Sequence, residues 1–259
     1  ARKTSQTMLF VLQDSETAGY FYHDLTQIMG DSDVLFFPSS FRRAIKYAQK
    51  DPASEILRTE VLSRLNAAGH SQCLYVVTFP EALAEMVVTR KDLDTRTMTL
   101  EQGQTTDMDA LMNELRALGF HEVDYVYEPG QFALRGSILD IFSFSLEYPY
   151  LIDFFGNDID SIRTFEIDDQ LSRERCQRAD IVPEMDDVVD KESLLRFLPA
   201  YTTLVFNNYM YARETVERVY QEGFSSQAMT ERLATVTEME RQQTEREMQR
   251  DSLLLSGTQ

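Results

Sequence analysis

Residues 127–142, YEPGQFALRGSILDIF, decide how the middle of this chain is read. Pro129-Gly130 supplies the residues of a turn, and an apolar run follows it as a strand. Arg135, Gly136 and Asp140 interrupt that run where a simple buried strand would carry none. Around it lie three further strand patterns, HEVDYVYE (121–128), YPYLIDFFG (148–156) and DIDSIRTFEI (158–167). With almost no helix between them they predict an antiparallel meander whose first hairpin turns at Pro129-Gly130. Residues 131–144 read as one strand, in which Gly136 marks a bulge or a close backbone approach. Upstream, TDMDALMNELRALGF (106–120) is an amphipathic helix with Thr106 or Asp107 as its cap and Gly119 as its stop. This central region is therefore expected to be α+β.

The flanks have another rhythm. TMLFVLQD (7–14), DVLFFPSS (33–40) and QCLYVVTF (72–79) are apolar runs that do not alternate, and helical patterns separate them. That combination predicts parallel strands covered on both faces. Asp14 and Ser15 can cap the helix that follows the first run, and Pro80 opens a helix through EALAEMVV (81–88). Helical rhythm returns after about Ile181 and ends in SQAMTERLATVTEMERQQTEREMQR (226–250), a helix polar nearly all round with little to pack against. Such a helix suggests a chain cut from a longer protein. The fold class is α/β: a parallel-sheet domain split by an inserted small α+β domain with an antiparallel sheet. The expected domains are 1–92, 93–182 and 183–259.

Composition narrows the chemistry. The 259 residues are 43% apolar, enough for real cores. No run approaches the ~18 apolar residues of a membrane-spanning helix, and the first residues lack a secretory cleavage signature, so a cytoplasmic location is expected. Cys73 and Cys176 stand far apart and read as reduced thiols. His23, His70 and His121 have no ligand spacing, which leaves no zinc site. A net charge of −18 argues against gripping nucleic acid, because phosphate binding draws on Lys and Arg. Two local basic groups, Arg42, Arg43, Lys46 and Lys50, and Arg173, Arg175 and Arg178, read as solvated faces balancing nearby acids.

No Gly-Lys pair occurs, so the chain lacks a phosphate-binding loop. The aspartates of DDVVD (186–190) read as a linker or helix start rather than magnesium ligands. No nucleophile elbow, HExxH helix or Cys/His arrangement is present, and no carboxylate pair stands out as acid and base. The chain reads as non-catalytic, with no cofactor of its own.

The stretch YEPGQFALRGSILDIFSFSLEYPYLIDFFGNDIDSIRTFEIDDQLS (127–172) closely resembles the second domain of the bacterial transcription-repair coupling factors. DVLFFPSSFRRAIKYAQKDPASEILRTEVLSRL (33–65) resembles their first domain, and the likeness thins beyond about Glu184. The excinuclease component UvrB is a more distant match, since it places a long hairpin after the region resembling PEALAEM and this chain has no room for one after Val88. The resemblance implies two parts of a degenerate RecA-like domain flanking an inserted domain that binds the excinuclease component UvrA. It also implies a longer parent, an ATP-driven DNA translocase using magnesium and acting on stalled RNA polymerase, whose motor and polymerase-binding parts lie outside this sequence. The family's contact residues fall on Arg135 and Phe155. A second arginine of the family pattern falls on Leu151, a departure that leaves Leu151 out of the carried-over site.

Strand alternation gives an independent reading. Leu151, Asp153 and Phe155 share one face, with Ile152 and Phe154 on the other as core. Phe155 is then either a partly wet aromatic beside Arg135, the composition of an interface hot spot, or a core ring under the helix at 107–118 with Arg135 paired to Asp153 across strands. The resemblance favours the first. Two functions follow: a module that recruits UvrA, or a nucleotide-dependent DNA-binding segment related to UvrB. ATP hydrolysis or salt-sensitive DNA binding by this chain would mark the second.

Overall fold

A computed structural model describes residues 6–40, 52–68, 73–185 and 188–222. The basic stretch holding Arg42, Arg43, Lys46 and Lys50 and the predicted helix at 226–250 lie outside the described residues. In chain order the elements are β1 (Met8–Val11), α1 (Ser15–Met29), β2 (Val34–Phe36), α2 (Pro52–Ala67), β3 (Tyr75–Thr78), α3 (Pro80–Leu83), β4 (Val87–Val88) and α4 (Arg90–Arg96). Then come β5 (Met98–Glu101), α5 (Met108–Ala117), β6 (His121–Glu122), β7 (Gln131–Arg135), β8 (Ile138–Ile141), β9 (Tyr150–Phe155), β10 (Asp158–Phe165), β11 (Ser172–Cys176) and β12 (Arg178–Ile181). The last are β13 (Lys191–Glu192), α6 (Leu194–Phe197), β14 (Thr203–Phe206) and α7 (Tyr209–Glu222). The protein is a mixed α/β molecule with parallel and antiparallel sheets.

The chain divides into two compact units, one drawn from 1–54, 64–89 and 190–259, the other from 55–63 and 90–189. In the first, four strands form a parallel sheet in the order β14-β1-β3-β2. Leu9, Val11, Val76 and Val77 are buried in it, as non-alternating runs in a parallel sheet require. Asp14 caps α1, its Oδ1 accepting from the Thr17 N–H at 2.8 Å. The helix expected through 81–88 is shorter: α3 ends at Leu83, and the β-branched pair Val87–Val88 instead joins Lys191–Glu192 in a two-stranded antiparallel ribbon.

In the second unit a six-stranded sheet runs in the order β11-β10-β9-β8-β7-β6. One face carries Phe132, Leu139, Ile141, Ile152, Phe154 and Ile162 against Leu111 and Leu115 of α5, forming the larger core. Asp107 is the cap of α5, accepting from the Ala110 N–H at 2.8 Å, and Gly119 ends it at φ +89°. The other face carries a smaller cluster of Ala133, Phe142, Leu151 and Phe165 with Val126 from the 123–130 loop.

Two expectations about the meander need correction. Pro129-Gly130 does not turn a hairpin, because β6 runs parallel to β7 with His121 opposite Gln131, so residues 123–130 carry the chain back to its starting end. Residues 131–144 are not one strand with a bulge. Arg135 pairs with Ile138, and Gly136-Ser137 is the two-residue turn of the hairpin β7–β8. Gly136 sits at φ +66° while Ser137 keeps negative φ, the pattern of a type II′ turn with glycine first.

Candidate partner-binding face

The registers place each candidate side chain on a defined face. On the side away from α5, Ala133, Asp140, Leu151 and Arg163 lie in one cross-strand row, as do Arg135, Ile138, Asp153 and Ser161 in the next. Phe155 opens the row beyond, opposite Asp158. Arg135 and Phe155 each stand immediately before a glycine-led two-residue turn, Gly136-Ser137 and Gly156-Asn157, at the same end of the sheet.

Phe155 is 82% exposed, so the ring is not packed under α5. Alternation puts Ile152 and Phe154 on the core side and Phe155 on the other face with Asp153, and at the turn end of β9 the ring lies outside the small cluster that buries Leu151 on that face. Leaving a phenylalanine in water forgoes roughly 2–3 kcal/mol of burial free energy.

Arg135 does not pair with Asp153. Its Nε donates to Asp140 Oδ2 at 2.8 Å, a terminal nitrogen donates to the same oxygen, and the guanidinium carbon lies 5.7 Å from the ring centroid of Tyr125. The turn brings these two residues, five apart in sequence, side by side. Asp153 instead accepts from the Ser137 hydroxyl at 3.3 Å. Asp140 is 1% exposed and its Oδ1 has no hydrogen-bond partner among the described residues. Burial pushes the Asp140 carboxyl above the usual carboxylate range, against the opposing pull of Arg135 and of Arg163. Arg135 is thus held in place by a buried anion and an aromatic face while about a third of its side chain stays open.

Leu151, where the family pattern has an arginine, is buried in the small apolar cluster with Ala133, Phe142 and Phe165. Sequence reasoning missed Tyr125, which is half exposed beneath Arg135; its position in the HEVDYVYE pattern carried no mark of contact with a residue ten positions on. Of the second basic group, Arg173 pairs with Glu166 and stacks on Tyr148 at 4.0 Å, and Arg178 pairs with Asp180 at 2.7 Å. Arg175 does neither. Among the described residues no group of His, Cys, Asp and Glu could hold a metal ion, and no helix is long and apolar enough to cross a membrane. Cys73 and Cys176 are free thiols, the latter raised in pKa by burial.

With this geometry in hand, residues 98–186 match the family described as the UvrB interaction domain, and the match covers all of the sheet from β6 to β11. The chain resembles the N-terminal region of transcription-repair coupling factors. It is 26% identical to the transcription-repair-coupling factor of Escherichia coli strain K12 over 197 residues, 76% of this chain and 17% of that protein. To the factor of Bacillus subtilis strain 168 it is 28% identical over 196 residues, 76% of this chain and 16% of that protein. To that of Staphylococcus aureus strain bovine RF122 / ET3-1 it is 25% identical over 224 residues, 86% of this chain and 19% of that protein. The chain spans less than a fifth of the length of these coupling factors.

Proposed function

We propose that the chain is the N-terminal part of a transcription-repair coupling factor and that its antiparallel domain binds the excinuclease component UvrA, bringing it to stalled RNA polymerase in nucleotide excision repair. The observation that carries this reading is the 82% exposed ring of Phe155 on the same face and at the same sheet end as Arg135. An exposed aromatic and an anchored arginine on one face, with only β8 between their strands, have the composition of a binding hot spot. The match of residues 98–186 to the UvrB interaction domain supports the choice of partner.

In this reading residues 1–92 and 183–259 form a degenerate RecA-like domain and 93–182 an insertion within it. The parallel order β14-β1-β3-β2, in which the last strand returns beside the first, supports that arrangement. The chain itself catalyses nothing. ATP and magnesium, and the contacts with DNA and RNA polymerase, belong to other parts of a cytoplasmic translocase. The test is co-elution of the purified chain with UvrA. A stable complex supports the reading; separate elution at micromolar concentrations of both overturns it.

A further inference from the structure

The face that carries Phe155 does not stop at β9. Arg163 on β10 lies directly opposite Leu151 on one side and directly opposite Arg175 of β11 on the other. Two guanidinium groups facing each other across an antiparallel pair repel, and such pairs are destabilising without a counter-charge. No ion-paired acid is supplied to them from among the described residues. Asp140, in the same row, attracts Arg163 through space but makes no hydrogen bond to it, its Oδ2 being taken by Nε and a terminal nitrogen of Arg135, and Asp153 accepts from Ser137. Glu166 is taken by Arg173. Arg175 is exposed and makes no hydrogen bond or ion pair among the described residues. Arg163 is half buried, and its Nε is enclosed without an acceptor among the described residues. In a chain of net charge −18, an arginine pair without an ion-paired acid among the described residues, on the same face as an exposed aromatic about 13 Å away along β9, is a surface that a partner would complement.

We propose that the docking face extends across β10 and β11 and that Arg163 and Arg175 together receive a carboxylate of the protein partner. This rests on the reading above, in which that partner is UvrA, and specifies the surface it must present: an acidic group set about 13 Å from the pocket that covers Phe155. A carboxylate fits because the fork of each guanidinium can hold it in a planar, two-bonded geometry. A nucleic-acid phosphate could meet the same two groups, but the chain's overall charge disfavours it and the neighbouring aromatic is laid out for a protein pocket.

The experiment is titration of the whole chain against purified UvrA at low and high salt, with Arg175→Glu, Arg163→Lys and Phe155→Ala. Arg175→Glu should bind about tenfold or more weakly and lose part of the salt dependence, because it replaces an attraction with a repulsion. Arg163→Lys keeps the charge but not the fork and should bind roughly threefold to tenfold more weakly. The melting temperature of Arg175→Glu should be unchanged or raised, since the like-charge pair is gone. Both arginine variants binding like the original chain, with Phe155→Ala impaired, would overturn this inference and leave the proposed function standing. An original chain that fails to bind would overturn both. A loss on Arg175→Glu seen only with DNA would also overturn it.

Discussion

Both Nε and a terminal nitrogen of Arg135 donate to a single oxygen of Asp140, and the other oxygen of that buried carboxylate has no hydrogen-bond partner among the described residues. The hairpin turn at Gly136 makes this contact, and it ties a residue of the candidate interface to the stability of the domain. Removing the guanidinium leaves an anion 1% exposed with nothing to compensate it. Arg135→Ala should therefore lower stability by about 1–3 kcal/mol as well as weaken binding. Thermal melts would show it, and Asp140→Asn in the same chain should recover part of the loss; an Arg135→Ala melt equal to the original would contradict the account.

The same carboxyl sets a pH dependence. Because burial raises the Asp140 pKa, the folded domain holds this proton at a pH where the unfolded chain has lost it. Its contribution is then fullest below the unfolded value and declines as pH rises through the folded one. Relative to Asp140→Asn, the original chain should lose melting temperature as pH rises through the acid range. A difference that stays flat, or grows in favour of the original chain, would mean that Arg135 outweighs desolvation.

Gly130 tests the corrected path of residues 123–130. It holds φ +84°, its N–H donates to the Phe142 carbonyl at 2.8 Å, and a Cβ there would stand 2.9 Å from the Phe144 ring. Gly130→Ala should cost about 1–3 kcal/mol through backbone strain and the displaced ring. Denaturant unfolding measures it; a neutral result would put the loop elsewhere.

Leu151 separates packing from recognition. It is buried among Ala133, Phe142 and Phe165, so Leu151→Ala should destabilise by roughly 2–4 kcal/mol. Its affinity for the partner, per folded molecule, should change little. Tight coupling of affinity to this side chain would show that the position contributes to the contact directly.

Much of the parallel sheet was legible because Met8–Val11 and Tyr75–Thr78 are apolar without alternation, and Asp14 and Asp107 stand where helix caps belong. The hairpin at Gly136 was hidden because the residues on both sides of it continue one apolar pattern; only the positive φ of the glycine separates a turn from a bulge. The two-residue strand β6 is too short to leave a period in the sequence, so its parallel pairing could not be read. Asp140 stood out as an interruption of the apolar run, but its pairing with Arg135 depends on that hidden turn. The exposure of Phe155 needed the sheet itself, since alternation assigns a face without saying what covers it. The facing of Arg163 and Arg175 depended on a register that shifts between Arg163 and Phe165.

The central claim is that the open ring of Phe155 is an anchor for UvrA. Calorimetric titration of the original chain and of Phe155→Ala against UvrA, with melts of both, tests it most directly. Phe155→Ala should lose about 2 kcal/mol or more of binding free energy with an unchanged melting temperature. Equal affinities for the two chains would contradict it.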